Sequence, residues 1–281
     1  MPKMTRNPVT RPQSAHHTLP ALLVAIAALT AMKPASVNAQ STMLASKDAS
    51  ASAAATGGLI DSRGESHEAP VSLVREPLLV IGFMGGRIHA GNLAHGEARL
   101  ARDLDQRYPE TVRAITFANH QQREALRTVL QLLDTARDGR LSDAEKIAAR
   151  IVLFGHSWGA SEAIQLAREL DRRGIPVLLT IQVDSVEKSG EDDGAIPPNV
   201  REAINFYQNE GLLHGRQVIQ AVDPARTTIL GSYRSSYKSS PVSCAGYGWF
   251  ARTFMKPHIE IENDHALWGK IESIIVARSA R

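Results

Sequence analysis

The chain has 281 residues, 43% of them hydrophobic and 22% charged, an ordinary globular composition with enough length for one sizeable core. Lys and Arg exceed Asp and Glu by only 32 to 29, and the positive charges are scattered along the chain, which excludes a nucleic-acid binder of the basic-stripe kind. The single cysteine, Cys244, excludes an internal disulfide and a multi-thiolate zinc or iron–sulfur site.

The chain opens with Lys3, Arg6 and Arg11, followed by the apolar run Leu19–Met32. That run is shorter than the roughly 20 residues a membrane span needs. Val37-Asn38-Ala39 then places small residues where a signal peptidase reads them. Residues 1–39 therefore read as a secretory signal peptide, with an uncleaved anchor as the alternative. The expected mature protein is secreted or periplasmic, with no stable membrane span after cleavage. Residues 40–74 are rich in Ala, Ser, Thr and Gly and predict a flexible linker. Residues 75–281 are the expected folded domain.

Within that domain, short apolar runs alternate with helical stretches. Leu78–Met84 predicts a strand ending at Gly85-Gly86, and Gly96–Tyr108 a polar-faced helix stopped by Pro109. Val112–Ala118 predicts a second strand. Gln121–Arg137 predicts a helix with Leu126, Val129, Leu130 and Leu133 on one face. A strand over Arg150–Phe154, a helix over Ser161–Arg173 and a strand over Val177–Val183 follow. Val200–Gln208 is open between strand and helix. Thr227–Tyr233 predicts another strand, and Asp264–Val276 a final helix with Leu267, Ile271, Ile274 and Ile275 inward. Continuous apolar strands separated by helices of about 10–15 residues predict an α/β class domain, a three-layer α/β/α open sheet that is mostly parallel. In such sheets, functional groups gather at the carboxyl ends of the strands.

The most informative motif, Gly155-His156-Ser157-Trp158-Gly159, lies at such an end, between a strand and a helix. A serine hydroxyl needs exposure and a paired base to act as a nucleophile. A sharp strand–Ser–helix turn supplies the exposure, the glycines leave room for the crossing, and the helix N-terminus offers unpaired N–H groups.

With Leu153-Phe154 before it and Ala160 after it, this motif resembles that of the α/β-hydrolase superfamily, specifically lipase- and esterase-like serine hydrolases. The resemblance covers about residues 75–281. It implies a triad in the chain order Ser, acid, His and an oxyanion hole of two backbone N–H donors. One donor would be Trp158. The other would come from the loop Gly82-Phe83-Met84-Gly85-Gly86, with Phe83 first and Met84 next. Ile81 stands where the family usually has a histidine. The implied acid is Asp184, at the end of Val177–Val183, with Asp192, Asp193 and Asp223 as competitors. The implied histidine is His258 or His265. His258 is favoured if Thr227–Tyr233 is the last strand, because His265 would then sit in a helix N-terminus that disfavours an imidazolium. A strand over His258–Ile261 would reverse the preference.

His89, His95, His120, His156 and His214 show no ligand spacing and read as loop or packing residues; no metal or other cofactor is assigned to the site. Asp134–Glu145 resembles a calcium-binding EF-hand loop but has Ala136 where an oxygen ligand belongs. Ser142 and Glu145 also form a capping box that explains much of the same pattern. Residues 234–257 predict a long loop with exposed aromatics that shapes a pocket or closes over it. The expected function is a secreted serine hydrolase that cleaves small-molecule or lipid carboxylic esters. The alternatives are the same triad on a thioester or amide, and a non-catalytic hydrolase-fold binding protein.

Overall fold

The structure is a computed structural model in which residues 76–188 and 190–280 are described. The expected signal peptide (1–39) and linker (40–74) lie outside the described residues.

The elements in chain order are β1 (Leu78–Met84), α1 (Gly96–Arg107), β2 (Val112–Ala118), α2 (Gln122–Leu133), α3 (Asp143–Ala148), β3 (Ile151–His156), α4 (Trp158–Asp171), β4 (Val177–Val183), β5 (Ala195–Ile196), β6 (Val200–Tyr207), β7 (Gln220–Ala221), β8 (Thr228–Arg234), α5 (Trp249–Phe254), α6 (Lys256–Glu262) and α7 (His265–Ser279). Six strands form one parallel sheet in the order β2-β1-β3-β4-β6-β8; β5 and β7 pair in a small second sheet. The chain starts near one side, steps outward to β2, and returns across β1 to β3. The strand order therefore reverses between β1 and β3, and the carboxyl ends of those two strands are where such a sheet gathers functional groups.

Every residue of β1 and β3 is buried, which explains apolar runs without alternation. The pleat sends successive side chains to opposite faces. Leu79, Ile81, Phe83, Ile151 and Leu153 pack with Ala125 and Val129 of α2 and Ala163, Ile164 and Leu166 of α4. Leu78, Val80, Val152 and Phe154 pack on the other side with Leu100 and Leu104 of α1 and Trp268, Ile271 and Ile275 of α7. These are the three layers expected from the sequence. Burying each Leu or Ile in such a core is worth about 1.5–3 kcal/mol.

Several boundaries differ from expectation for local reasons. Helix α2 stops at Leu133, four residues early, because the Asp134 carboxylate accepts the N–H groups of Asp138 (3.2 Å) and Gly139 (2.9 Å) and closes a turn. Helix α4 begins at Trp158, directly after the serine, instead of Ser161. The ambiguous Val200–Gln208 segment is the strand β6. The candidate last strand His258–Ile261 lies inside the helix α6, with Pro257 in its first turn where its missing N–H costs nothing.

The Ser142–Glu145 capping box is formed in both directions. Glu145 also accepts from Thr135 Oγ1 and the N–H of Ala136, both at 3.0 Å, and its carboxyl is held at about 2 chiefly by the N–H groups of Ala136 and Ser142. The carboxylates that would serve the calcium expectation are thus engaged by the loop's own donors. Among the described residues, no helix is long and apolar enough to cross a membrane.

Candidate active site

Ser157 sits between β3 and α4 with φ +56° and ψ −127°, a region L-residues seldom adopt. Its neighbours make that geometry obligatory. A Cβ on Gly155 would collide with the backbone of Gly159, and a Cβ on Gly159 would collide with the carbonyl of Phe83. Strand β3, helix α4 and the end of β1 therefore meet at backbone contact, and only glycine fits at both positions. The Ser157 N–H donates to the Val183 carbonyl (3.0 Å), which ties the turn to β4.

The serine is not open to solvent as the sequence leads one to expect; it is 5% exposed. Gly85 passes close enough that a Cβ there would lie 3.4 Å from Ser157 Cβ, and the Val186 N–H donates to the Ser157 carbonyl at 3.3 Å. Trp158 is half-buried against a small apolar cluster that includes Val186, Leu213, Tyr247, Met255 and Ile259. Loops after β1 and β4 therefore close around the turn.

Asp184 follows β4 directly, with φ +44°, and is fully buried. Its Oδ1 accepts from the N–H groups of Gln208 (3.0 Å) and Gly215 (2.8 Å). Its Oδ2 accepts from Gln208 Nε2 (2.7 Å) and meets His258 Nδ1 at 2.6 Å. Burial alone would push this carboxyl up, but the hydrogen bond and charge of His258, with the Gln208 donors, outweigh it and hold the group below the ordinary aspartate range. Gly215 allows this approach, since a Cβ there would run into Asp184.

His258 lies in α6, almost fully buried, and its Nε2 has no hydrogen-bond partner among the described residues. Its ring stacks on that of His156, with centroids 4.5 Å apart. His265 is exposed in the first turn of α7 and takes no part. Among the competing acids, Asp193 bonds Ser185 Oγ and Arg216, while Asp192 and Asp223 accept loop N–H groups.

Gly82, Phe83 and Met84 belong to β1 itself, not to a loop, so the expected oxyanion loop starts at Gly85. The reason is full pairing: Phe83 stands in register with both Phe117 and Gly155. The Gly85 N–H is already given to Glu97 Oε1 at 2.9 Å. Trp158 is the first residue of α4, where an N–H has no acceptor within its own helix.

A second group of buried polar residues, missed in the sequence, adjoins this site. His95 caps α1, Glu97 lies in its first turn, His156 precedes the serine, and Glu262 ends α6, one helical turn beyond His258. His95 and His156 are thus not simple packing residues. His95 Nδ1 meets Glu262 Oε1 at 2.5 Å, Tyr247 OH donates to Glu262 Oε2 at 2.7 Å, and His156 Nδ1 lies 3.9 Å from both Glu97 Oε1 and Glu262 Oε1. Burial drops the His156 imidazole to about 4, so it is neutral with a lone pair available. Burial and the neighbouring Glu262 push Glu97 up. Burial also pushes Glu262 upward, but the His156 and His95 imidazoles and the Tyr247 hydroxyl hold it down. The only sequence signals were His95-x-Glu97 and the four-residue spacing from His258 to Glu262, both common on helices.

No protein-family model and no curated protein matches the sequence. Among solved structures, the chain is similar to RedJ with a polyethylene glycol molecule bound in the active site, at 10% identity over 78% of this chain and 96% of that one, with a TM-score of 0.40. It is also similar to a thermostable esterase from Pseudomonas putida, at 10% identity over 75% and 76% of the two chains, with a TM-score of 0.38. Likeness at this level says nothing of activity. The fold is given by the molecule's own features: a parallel sheet whose order reverses between β1 and β3, and a strained serine turn at that reversal, make it an α/β-hydrolase fold.

Proposed function

We propose that the protein is a serine hydrolase that cleaves carboxylic esters through Ser157, His258 and Asp184, and that it works outside the cytoplasm after removal of residues 1–39. The observation that carries this reading is the buried Asp184–His258 pair at the same sheet end as the strained Ser157, with His258 Nε2 left unpartnered among the described residues.

In this reading, His258 Nε2 takes the Ser157 proton as Oγ forms a bond to the ester carbonyl. Asp184 holds the ring by Nδ1, fixes its tautomer and stabilises the imidazolium. The oxyanion forms beside the N–H of Trp158 and the end of β1; the second donor implied by the resemblance, Phe83 or Met84, has to turn its N–H out of the sheet pairing, since Gly85 is committed to Glu97. The imidazolium then protonates the leaving alcohol, and water, deprotonated by the same ring, cleaves the acyl-enzyme.

A fluorophosphonate probe tests the reading. It should label Ser157 alone, and Ser157→Ala should lose both labelling and hydrolysis of p-nitrophenyl esters while keeping its circular dichroism. Labelling elsewhere, or undiminished turnover by the variant, overturns the assignment. Esters of graded acyl length, run beside a thioester and an amide, separate the substrate classes.

A further inference from the structure

The cluster beside the active site poses a charge problem. Glu97 is 0% exposed and Glu262 2%, and both are packed against imidazoles that are equally buried, His95 at 0% and His156 at 2%. Among the described residues, His95 Nε2, Glu97 Oε2 and both ring nitrogens of His156 have no hydrogen-bond partner. Buried polar atoms are ordinarily satisfied, and buried carboxylates need a counter-charge. The His95–Glu262 contact supplies one close pair, whereas His156 Nδ1 faces Glu97 Oε1 at 3.9 Å, too far for a hydrogen bond.

We propose that His95, Glu97, His156 and Glu262 form a buried site for one divalent transition-metal ion of the zinc type. Two carboxylates balance the ion's charge, and the ring nitrogens of His95 and His156 complete a four-coordinate N2O2 set. Imidazole nitrogen selects zinc-like ions over calcium and magnesium, which take oxygen ligands. The dimensions fit. Tetrahedral bonds of about 2.0–2.1 Å put ligand atoms about 3.3 Å apart. The observed separations bracket that value: 2.5 Å for His95 Nδ1 to Glu262 Oε1, and 3.9 Å from His156 Nδ1 to Glu97 Oε1 and to Glu262 Oε1. Ligand atoms of His95, Glu97 and Glu262 lie within 4.8 Å of one another. The supporting hydrogen bonds of a metal site are also present, since Gly85 N–H holds Glu97 and Tyr247 OH holds Glu262.

The consequence is positional. His156 adjoins Ser157, Glu262 is one turn from His258, and Glu97 grips the loop at Gly85. An ion here fastens the serine turn, the histidine helix and the loop after β1 to one point. The ion is structural, held in the interior and acquired as the chain folds.

The test uses the full chain, refolded with a chelator or with zinc and then desalted. Zinc-refolded protein should retain about one zinc per chain and melt about 5–10 °C above the chelator-refolded form. Cobalt(II) in its place should give the visible absorption of four-coordinate cobalt, a readout independent of turnover and of any variant. Glu97→Gln and His95→Asn should lower metal retention at least tenfold, whereas Asp192→Asn, in the more exposed Glu187–Asp192–Asp193 group, should not. Wild-type protein that retains less than a tenth of an equivalent and shows no zinc-dependent melting shift overturns the site. So does metal that persists in Glu97→Gln and His95→Asn, or is lost in Asp192→Asn.

Discussion

Asp184 and His258 lie 74 residues apart in the chain, yet Oδ2 and Nδ1 meet at 2.6 Å in a pocket from which both are almost wholly withdrawn from solvent. Three further donors, from Gln208 and Gly215, saturate the carboxylate and leave it no other geometry. Asp184→Asn keeps the shape but loses the charge that orients the ring and stabilises its protonated form. Ester turnover should fall by about 10²–10⁴-fold, read in kcat with a p-nitrophenyl ester.

The same pair sets acid stability. The Asp184 carboxyl titrates below its ordinary value of 3.8, so its stabilisation is fully present above that value and is lost as pH falls through the lower, folded value. The melting temperature of wild-type protein should therefore drop as pH falls below about 4, and the Asp184→Asn profile should be flatter there. Identical slopes for the two proteins would show that the pair contributes nothing to acid unfolding.

The two late histidines should separate cleanly. His258→Ala removes the only imidazole bonded to Asp184 among the described residues and should reduce ester turnover by at least about 10³-fold. His265 is exposed on α7, and His265→Ala should leave turnover unchanged. Equal losses in both variants would point to a defect in the α6–α7 segment rather than in the base.

Two glycines make a stability comparison. Gly159→Ala drives a methyl into the Phe83 carbonyl, where backbone must move, and should destabilise by about 1–3 kcal/mol or more. Gly269 lies inside α7, where an added methyl would meet nothing within 4 Å, and Gly269→Ala should stabilise by up to about 1 kcal/mol. Chemical denaturation of the two variants checks both signs.

The capping box offers a control remote from the chemistry. Ser142→Ala removes the acceptor for the Glu145 N–H and should cost about 0.5–2 kcal/mol of stability with no change in ester kinetics.

The strands, the serine turn and the class of the fold were legible in the sequence, because each depends on residues a few positions apart. β1 and β3 are buried on both faces and so read as unbroken apolar runs. Gly155 and Gly159 flank Ser157 because local backbone crossing leaves no room for a Cβ. The choice between His258 and His265 was legible only as a choice, since it turned on whether His258–Ile261 is strand or helix, and it is helix.

What only the tertiary structure decided is which side chains converge. The closure of the turn around Ser157 comes from Gly85 and Val186, carried in by two other strand ends. His95 and Glu262 are 167 residues apart and look in sequence like ordinary polar residues near helix ends, yet they touch in the interior. Periodicity and turn chemistry record each residue's relation to its near neighbours, whereas burial and pairing between distant helices depend on how the strand order reverses, a relation no short window of sequence contains.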